Sequence, residues 1–252
     1  MTAASVAVIG GTGMNTWPGF EGSGALDGDN AWGSPSAPLQ QGRFADTPVL
    51  FLARHGQGHH IPPHRINFRA NLQALADAGV RRVIAAAAVG SMNEAVPPGA
   101  LALPEDCIDY TWGRAHSYSD GPDLPLHHIG FTEPFSPLRE RMLEVATAAS
   151  VPIHPGGVLG VTQGPRLETA AEVRRLRRDG CDLVGMTTMP EAALARELGL
   201  DYAVVAVCVN WAAGVGSGDI HGEIERYAAE GMDRLRQLLT AVLPVLAEDD
   251  AR

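Results

Sequence analysis

Residues 201–221 read DYAVVAVCVNWAAGVGSGDIH. Tyr202 to Val209 is an unbroken apolar run, the pattern of a strand buried on both faces in an α/β sheet. The run ends in Asn210-Trp211 and a loop of Gly, Ala and Ser. A polar amide at the end of a buried strand costs free energy unless it finds partners. Ligands of open α/β sheets collect outside such strand ends. Asn210 is therefore either a ligand reader or the closure of the turn that follows.

The same grammar repeats along the chain. Short apolar strands are predicted at 6–9, 49–53, 83–89, 101–108, 158–161 and 183–186, with Pro104 marking an edge or a bulge. Helical spacing covers 67–78, 137–149, 168–178 and 191–198, and a last helix follows His221 to about Leu246. Residues 20–47, rich in Gly, Ser, Asp and Pro, predict short edge strands or loops. Tyr110 to Leu126 is a long irregular stretch around His116, and loops of that length are often functional. There is no repeat and no linker of changed composition. The expectation is one α/β domain over 1–252, a central mixed sheet flanked by helices.

The formal net charge is -10, which disfavours binding along a nucleic-acid backbone. The one basic run, Arg174 to Arg178, lies in a helical pattern and reads as a solvated face. Cys107, Cys181 and Cys208 show no CxxC spacing and sit in or beside apolar runs, as reduced core thiols of a cytoplasmic protein do. No apolar run approaches membrane-spanning length, and the N-terminal stretch reads as a strand, not a signal peptide.

Chemistry gathers at the strand ends. The first strand leads into Gly10-Gly-Thr-Gly13, either a phosphate loop or a tight turn. It is not a dinucleotide fingerprint, because the third glycine position holds Thr16 and Trp17-Pro18-Gly19 breaks any helix. Arg54 and His55 end the second predicted core strand, where a guanidinium fork suits an oxyanion and a plain surface Arg is the alternative. His59, His60 and His64 lack a carboxylate or Cys at ligand spacing, so no metal is expected. Val83 to Val89 ends at Gly90-Ser91 in small residues that admit a flat ligand or tight packing. Glu168 is a first-turn acid or a ligand reader, and Thr187-Thr188 an N-cap or an anion site at a helix start.

Five of these pieces occur in one order: GGTG at 10–13, ARHG at 53–56, AAVGS at 87–91, GPRLET at 164–169 and MTTMPE at 186–191. Together the set resembles the trimeric purine nucleoside phosphorylase and methylthioadenosine phosphorylase family, over Val6 to about Val242. The resemblance implies cleavage of a purine nucleoside by inorganic phosphate, a co-substrate, with no metal or redox cofactor. It implies phosphate contacts from Thr12, Arg54, His55 and Thr187. Ala87 stands where one branch has a further Thr, leaving a backbone contact. Ala88, Val89 and Gly90 would line the base slot, with Asn210, Trp211 and Ala212 beside it. Met186 would lie against the ribose. Leu167 replaces the Phe usually placed over the base. The family builds trimers, and His128 matches a residue donated across the interface; a dimer of trimers is the other assembly the family allows.

Two positions separate the branches of that family. Where 6-aminopurine enzymes carry Asp and Ser, this chain has Asn210 and Glu168. Asn offers a donor for O6 and an acceptor for N7, and Glu accepts N1–H, so the pair fits a 6-oxopurine. The remaining motifs resemble the methylthioadenosine branch, and the mixture implies methylthioinosine as substrate. The 5' pocket is then expected to be apolar, from Ile220, Gly222 and Ile224. His221 aligns with a residue that holds a 5'-hydroxyl in the ordinary purine branch, which keeps inosine or guanosine as the alternative, with methylthioadenosine behind them. A non-catalytic nucleotide-binding protein is the reading of a different class.

Overall fold

The computed structural model describes residues 4–14, 17–120, 128–135, 137–216 and 219–250. In chain order the elements are β1 (Val6–Gly10), β2 (Phe20–Leu26), β3 (Leu39–Phe44), β4 (Thr47–Ala53), α1 (Phe68–Asp77), β5 (Arg82–Ser91), β6 (Leu101–Ala102), β7 (Asp106–Asp109), α2 (Leu138–Ala148), β8 (Val158–Val161), α3 (Ala170–Arg178), β9 (Leu183–Gly185), α4 (Thr188–Glu197), β10 (Asp201–Trp211) and α5 (Ile220–Asp249). The strands join one mixed sheet in the order β2-β3-β4-β1-β5-β9-β8-β7, with β10 on β5 and β6 on β10. β5 runs parallel to β1 and β10 and antiparallel to β9.

β10 explains why the interior has two cores. Tyr202, Val204, Ala206 and Cys208 pack on one side of the sheet, and Ala203, Val205, Val207 and Val209 on the other. This is the two-residue side-chain period acting on an all-apolar run. The first side is covered by α1 and α4, through Leu72, Leu75, Leu194 and Ala195. The second is covered by α2 and α5, through Leu138, Met142, Leu235, Leu239 and Leu243. α3 covers a smaller cluster with Val173 and Leu176.

The sheet opens along β5. Its pairing with β1 ends at Ile9↔Ala85, and pairing on that edge resumes with β9 only at Gly90↔Val184. Between them residues 86–89 have no strand on that edge among the described residues. Their backbone groups must find other partners, and Arg54 Nη1 donates to the Ala86 carbonyl at 2.7 Å. On its other edge β5 keeps β10 to the end, with a bulge between Cys208 and Asn210. A bulge re-aims the side chain that follows it, here Asn210.

Three boundaries differ from the sequence expectation, at 101–108, 168 and 220, while the short edge strands expected within 20–47 are present. The predicted strand at 101–108 is two strands in different places: β6 pairs β10 and β7 pairs β8. Pro104 sits between them, without the N–H a continuous ladder needs. Residues 20–47 form an antiparallel hairpin, β2 and β3, whose β3 also pairs β4. Helix α3 is capped by Thr169 in a reciprocal box with Glu172, so Glu168 lies outside the helix. Helix α5 starts at Ile220, before His221, with the Asp219 side chain accepting from Gly222 N. Of the stretch 110–126, residues 121–126 lie outside the described set; His116 sits 3.6 Å from Asp109.

Candidate active site

One cavity lies where β5 is open, below the ends of β1, β4 and β10. It brings together Thr12, Arg54, His55, Ala87, Ala88, Val89, Gly90, Leu167, Glu168, Met186, Thr187, Asn210, Ala212 and Ile220. These come from seven separate stretches of chain. Trp211, His128, His221 and Gly222 were expected at the ligand and do not line it. His128 is exposed, as is His221.

The glycines set the fit. A Cβ on Gly11 would stand 2.7 Å from the Ala86 carbonyl oxygen, a backbone atom that cannot yield. A Cβ on Gly90 would press at 3.3 Å on both Asn210 Nδ2 and Val184. The slot beside Asn210 is thus flat because position 90 has no side chain.

Asn210 is buried, and its Nδ2 donates to the Trp211 carbonyl at 2.7 Å. Turned over, the amide would set oxygen against oxygen, so this contact fixes its orientation. One N–H and Oδ1 are left for the cavity. Trp211 therefore acts here through its carbonyl, while its own N–H donates to Glu223. Glu168 is half-buried, and the Thr162 hydroxyl donates to its Oε1 at 2.5 Å.

The guanidinium fork of Arg54, expected on an anion, instead grips Glu191: Nε–Oε2 is 2.7 Å and Nη2–Oε1 is 2.8 Å, both side chains fully buried. The Tyr202 hydroxyl donates to Glu191 Oε1 at 2.8 Å. Burial opposes the Arg54 charge, and Glu191 more than offsets it, so the Arg54 pKa is raised. Burial and Glu191 both push the Tyr202 hydroxyl well up, so it stays a neutral donor. Arg54 reaches the cavity wall as half of an ion pair.

His55 Nδ1 lies 2.8 Å from the Ile61 carbonyl oxygen and so carries the proton, leaving Nε2 as an acceptor. Burial lowers its pKa to about 4 despite that hydrogen bond, with Arg54 and His59 lowering it further. It is uncharged at neutral pH. The His59 ring lies tilted at 38° to it with centroids 4.4 Å apart, and His59 Nε2 approaches the Thr12 hydroxyl at 3.5 Å. No group of three His, Cys, Asp or Glu able to hold a metal occurs among the described residues.

At 187–191 the helix start expected to present N–H groups is displaced. Met189 has φ -110 and ψ 135, outside helical geometry, because the residue before a proline is pushed to the extended region. The regular helix begins at Pro190. Thr187 is buried, lines the cavity and makes no cap bond with its side chain.

The expected apolar pocket forms from Ile220 and Ile224, one turn apart on α5, with Val209 and Ala213. Sequence reasoning missed Glu191, read only as part of a helix opening, and Arg114. The latter is buried in the irregular stretch after β7 and ties the segments at 162–163 and 186–189 together.

Known proteins are similar to this chain in sequence and in fold. The probable S-methyl-5'-thioinosine phosphorylase of Xylella fastidiosa (strain Temecula1) is 47% identical over 96% of this chain and 99% of the relative. The 6-oxopurine nucleoside phosphorylase of Pyrococcus furiosus is 39% identical over 97% of this chain and 94% of its own length. Among solved structures, methylthioadenosine phosphorylase from Schistosoma mansoni in complex with adenine superposes with a TM-score of 0.89 at 29% identity, covering 97% and 92% of the two chains. The sequence profile of the phosphorylase superfamily matches residues 5–244, from β1 almost to the end of α5. With the split along β5 and the strand-end cavity inside that span, the chain belongs to the phosphorylase superfamily.

Proposed function

We propose that the protein cleaves S-methyl-5'-thioinosine with inorganic phosphate, releasing hypoxanthine and 5-methylthioribose 1-phosphate. The observation that carries this is the convergence of Glu168 and Asn210 on one cavity with the apolar pair Ile220 and Ile224. The oriented amide of Asn210 has one N–H for O6 and Oδ1 for a protonated N7. Glu168 accepts N1–H, which hypoxanthine carries and adenine lacks. His221, the residue that favoured a 5'-hydroxyl, is exposed and off the cavity, which supports the methylthio group over inosine or guanosine. The names of the relatives from Xylella fastidiosa and Pyrococcus furiosus point the same way on the base.

The chemistry follows. As the C1'–N9 bond stretches, the ribose gains oxocarbenium character and the bond's electron pair moves to the purine. Asn210 donates its free N–H to O6, where that charge gathers, and its Oδ1 accepts from N7 once solvent has supplied the proton there. A phosphate oxygen attacks C1', held near it by Thr12, Thr187 and the wall at Arg54. Neutral His55 accepts a hydrogen bond from a hydrogenphosphate through Nε2. This reaction asks for no metal or redox cofactor. The protein acts as one phosphorylase domain, and its free thiols suit a reducing cytoplasm.

Base release should require phosphate. Thr187→Ala, which removes one hydroxyl at the anion, should lower kcat/KM for phosphate by about 10²-fold. Steady-state assays across a phosphate titration check this, and equal base release without phosphate would refute the reading.

We place the active protein in a homotrimer, with His128 of one subunit completing a neighbour's sugar pocket. His128 is exposed and away from its own cavity, as such a role requires. Sedimentation should find no active 26.5 kDa species. A monomer of full specific activity would remove His128 from the site.

A further inference from the structure

We infer that Arg114 is a positioning residue for base selection, acting on Glu168 through Thr162; this rests on the proposed reading of Glu168. Arg114 is buried, and among the described residues its guanidinium hydrogen-bonds to carbonyl and amide oxygens and to no carboxylate. Nε donates to Gln163 Oε1 at 3.1 Å. Nη1 donates to the carbonyls of Met186 at 2.9 Å and Met189 at 2.6 Å. Nη2 donates to the carbonyls of Thr162 at 3.3 Å and Gln163 at 2.8 Å. All five N–H donors of the fork are matched by acceptors. The face of the guanidinium lies 5.5 Å from the Phe68 ring centre at the start of α1.

The acceptors belong to two segments. Thr162 and Gln163 follow β8 and lead to Glu168; Met186 and Met189 follow β9 and flank Thr187. Arg114 therefore sets the separation between the base-reading arm and the ribose and phosphate arm. The last link is Thr162, whose backbone is fixed by Arg114 and β9, and whose hydroxyl donates to Glu168 Oε1 at 2.5 Å. That hydrogen bond fixes where the carboxylate points. A five-donor planar fork can span both segments, and a lysine ammonium with three donors cannot.

The test is the ratio of kcat/KM for methylthioinosine to that for methylthioadenosine. A ratio is blind to the fraction of enzyme that is folded, so a merely structural role leaves it unchanged. Arg114→Lys and Thr162→Val should each narrow it by about ten-fold, the size of one misplaced polar contact. If Arg114→Lys yields no folded protein, Gln163→Leu decides, because it removes one acceptor while leaving Arg114 in place, and it should narrow the ratio too. An unchanged ratio in the Arg114 or Gln163 variant overturns the inference, even if Thr162→Val narrows it. Glu168→Gln is the control for the underlying reading: if it leaves the ratio unchanged, Glu168 is not the base reader and the relay falls with it. If Glu168→Gln narrows the ratio and the others do not, the proposed function stands and the relay alone is wrong.

Discussion

Replacing Asn210 by Asp and Glu168 by Ser together should reverse the base preference, from 6-oxopurine to 6-aminopurine. Buried polar groups left unpaired by the wrong substrate can discriminate by up to about 10⁴–10⁵-fold, so this is the largest effect expected of any two side chains here. The single change Asn210→Asp should behave worse than the loss of one contact. Nδ2 donates to the Trp211 carbonyl at 2.7 Å, and a carboxylate there would set two acceptors against each other. The aspartate must then turn or bind a proton, and activity on both nucleosides should fall. Glu168→Ser removes the acceptor for N1–H and releases the Thr162 hydroxyl. Both positions meet one ring edge, so the double variant should depart from the product of the singles. Measuring kcat/KM for both nucleosides on all four proteins checks this. Strict additivity with unchanged preference would mean that the two residues do not read the same base.

The second large effect is on stability. Arg54→Ala should cost about 3–5 kcal/mol, because it leaves the Glu191 carboxylate buried without its cation. For a chain of this size that lowers Tm by roughly 6–20 °C. Glu191→Ala should cost as much for the converse reason. Replacing both by apolar residues of similar volume, Arg54→Met with Glu191→Leu, should recover most of the stability while activity stays lost. Loss of activity in Arg54→Ala alone therefore does not separate a phosphate contact from a damaged core. Thermal unfolding of the singles and the double decides, and an Arg54→Ala protein as stable as wild type would show that the pair does not hold this wall.

The central strand was legible because its signal is local. Tyr202 to Val209 is apolar at every position, and only a strand covered on both faces buries all of it. Asn210, Glu168 and Ile220 were legible because a polar group at a strand end and an apolar one at a helix start stand out from their neighbours. What was hidden depends on distant partners. Glu191 lies 137 residues from Arg54, and no spacing rule joins them. Its signal was an acid among Met189, Pro190 and Ala192 on a helix that otherwise buries apolar groups. Arg114 was hidden because its partners are carbonyls, which every residue has. His221 was kept as a candidate beside Ile220 because the helix was started after it. Asp219 is a good N-cap residue, and a helix start after it puts Ile220 and Ile224 on one face without His221.

The proposed function is selection of a 6-oxopurine nucleoside whose ribose carries a 5'-methylthio group. The direct measurement is kcat/KM of the wild-type protein with saturating phosphate on methylthioinosine, methylthioadenosine and inosine. Methylthioinosine should run well ahead of both, ahead of methylthioadenosine through polar pairing at the base and ahead of inosine through apolar contact with Ile220 and Ile224. A wild-type protein that prefers methylthioadenosine would contradict the assignment of Asn210 and Glu168, and one that prefers inosine would contradict the apolar 5' pocket.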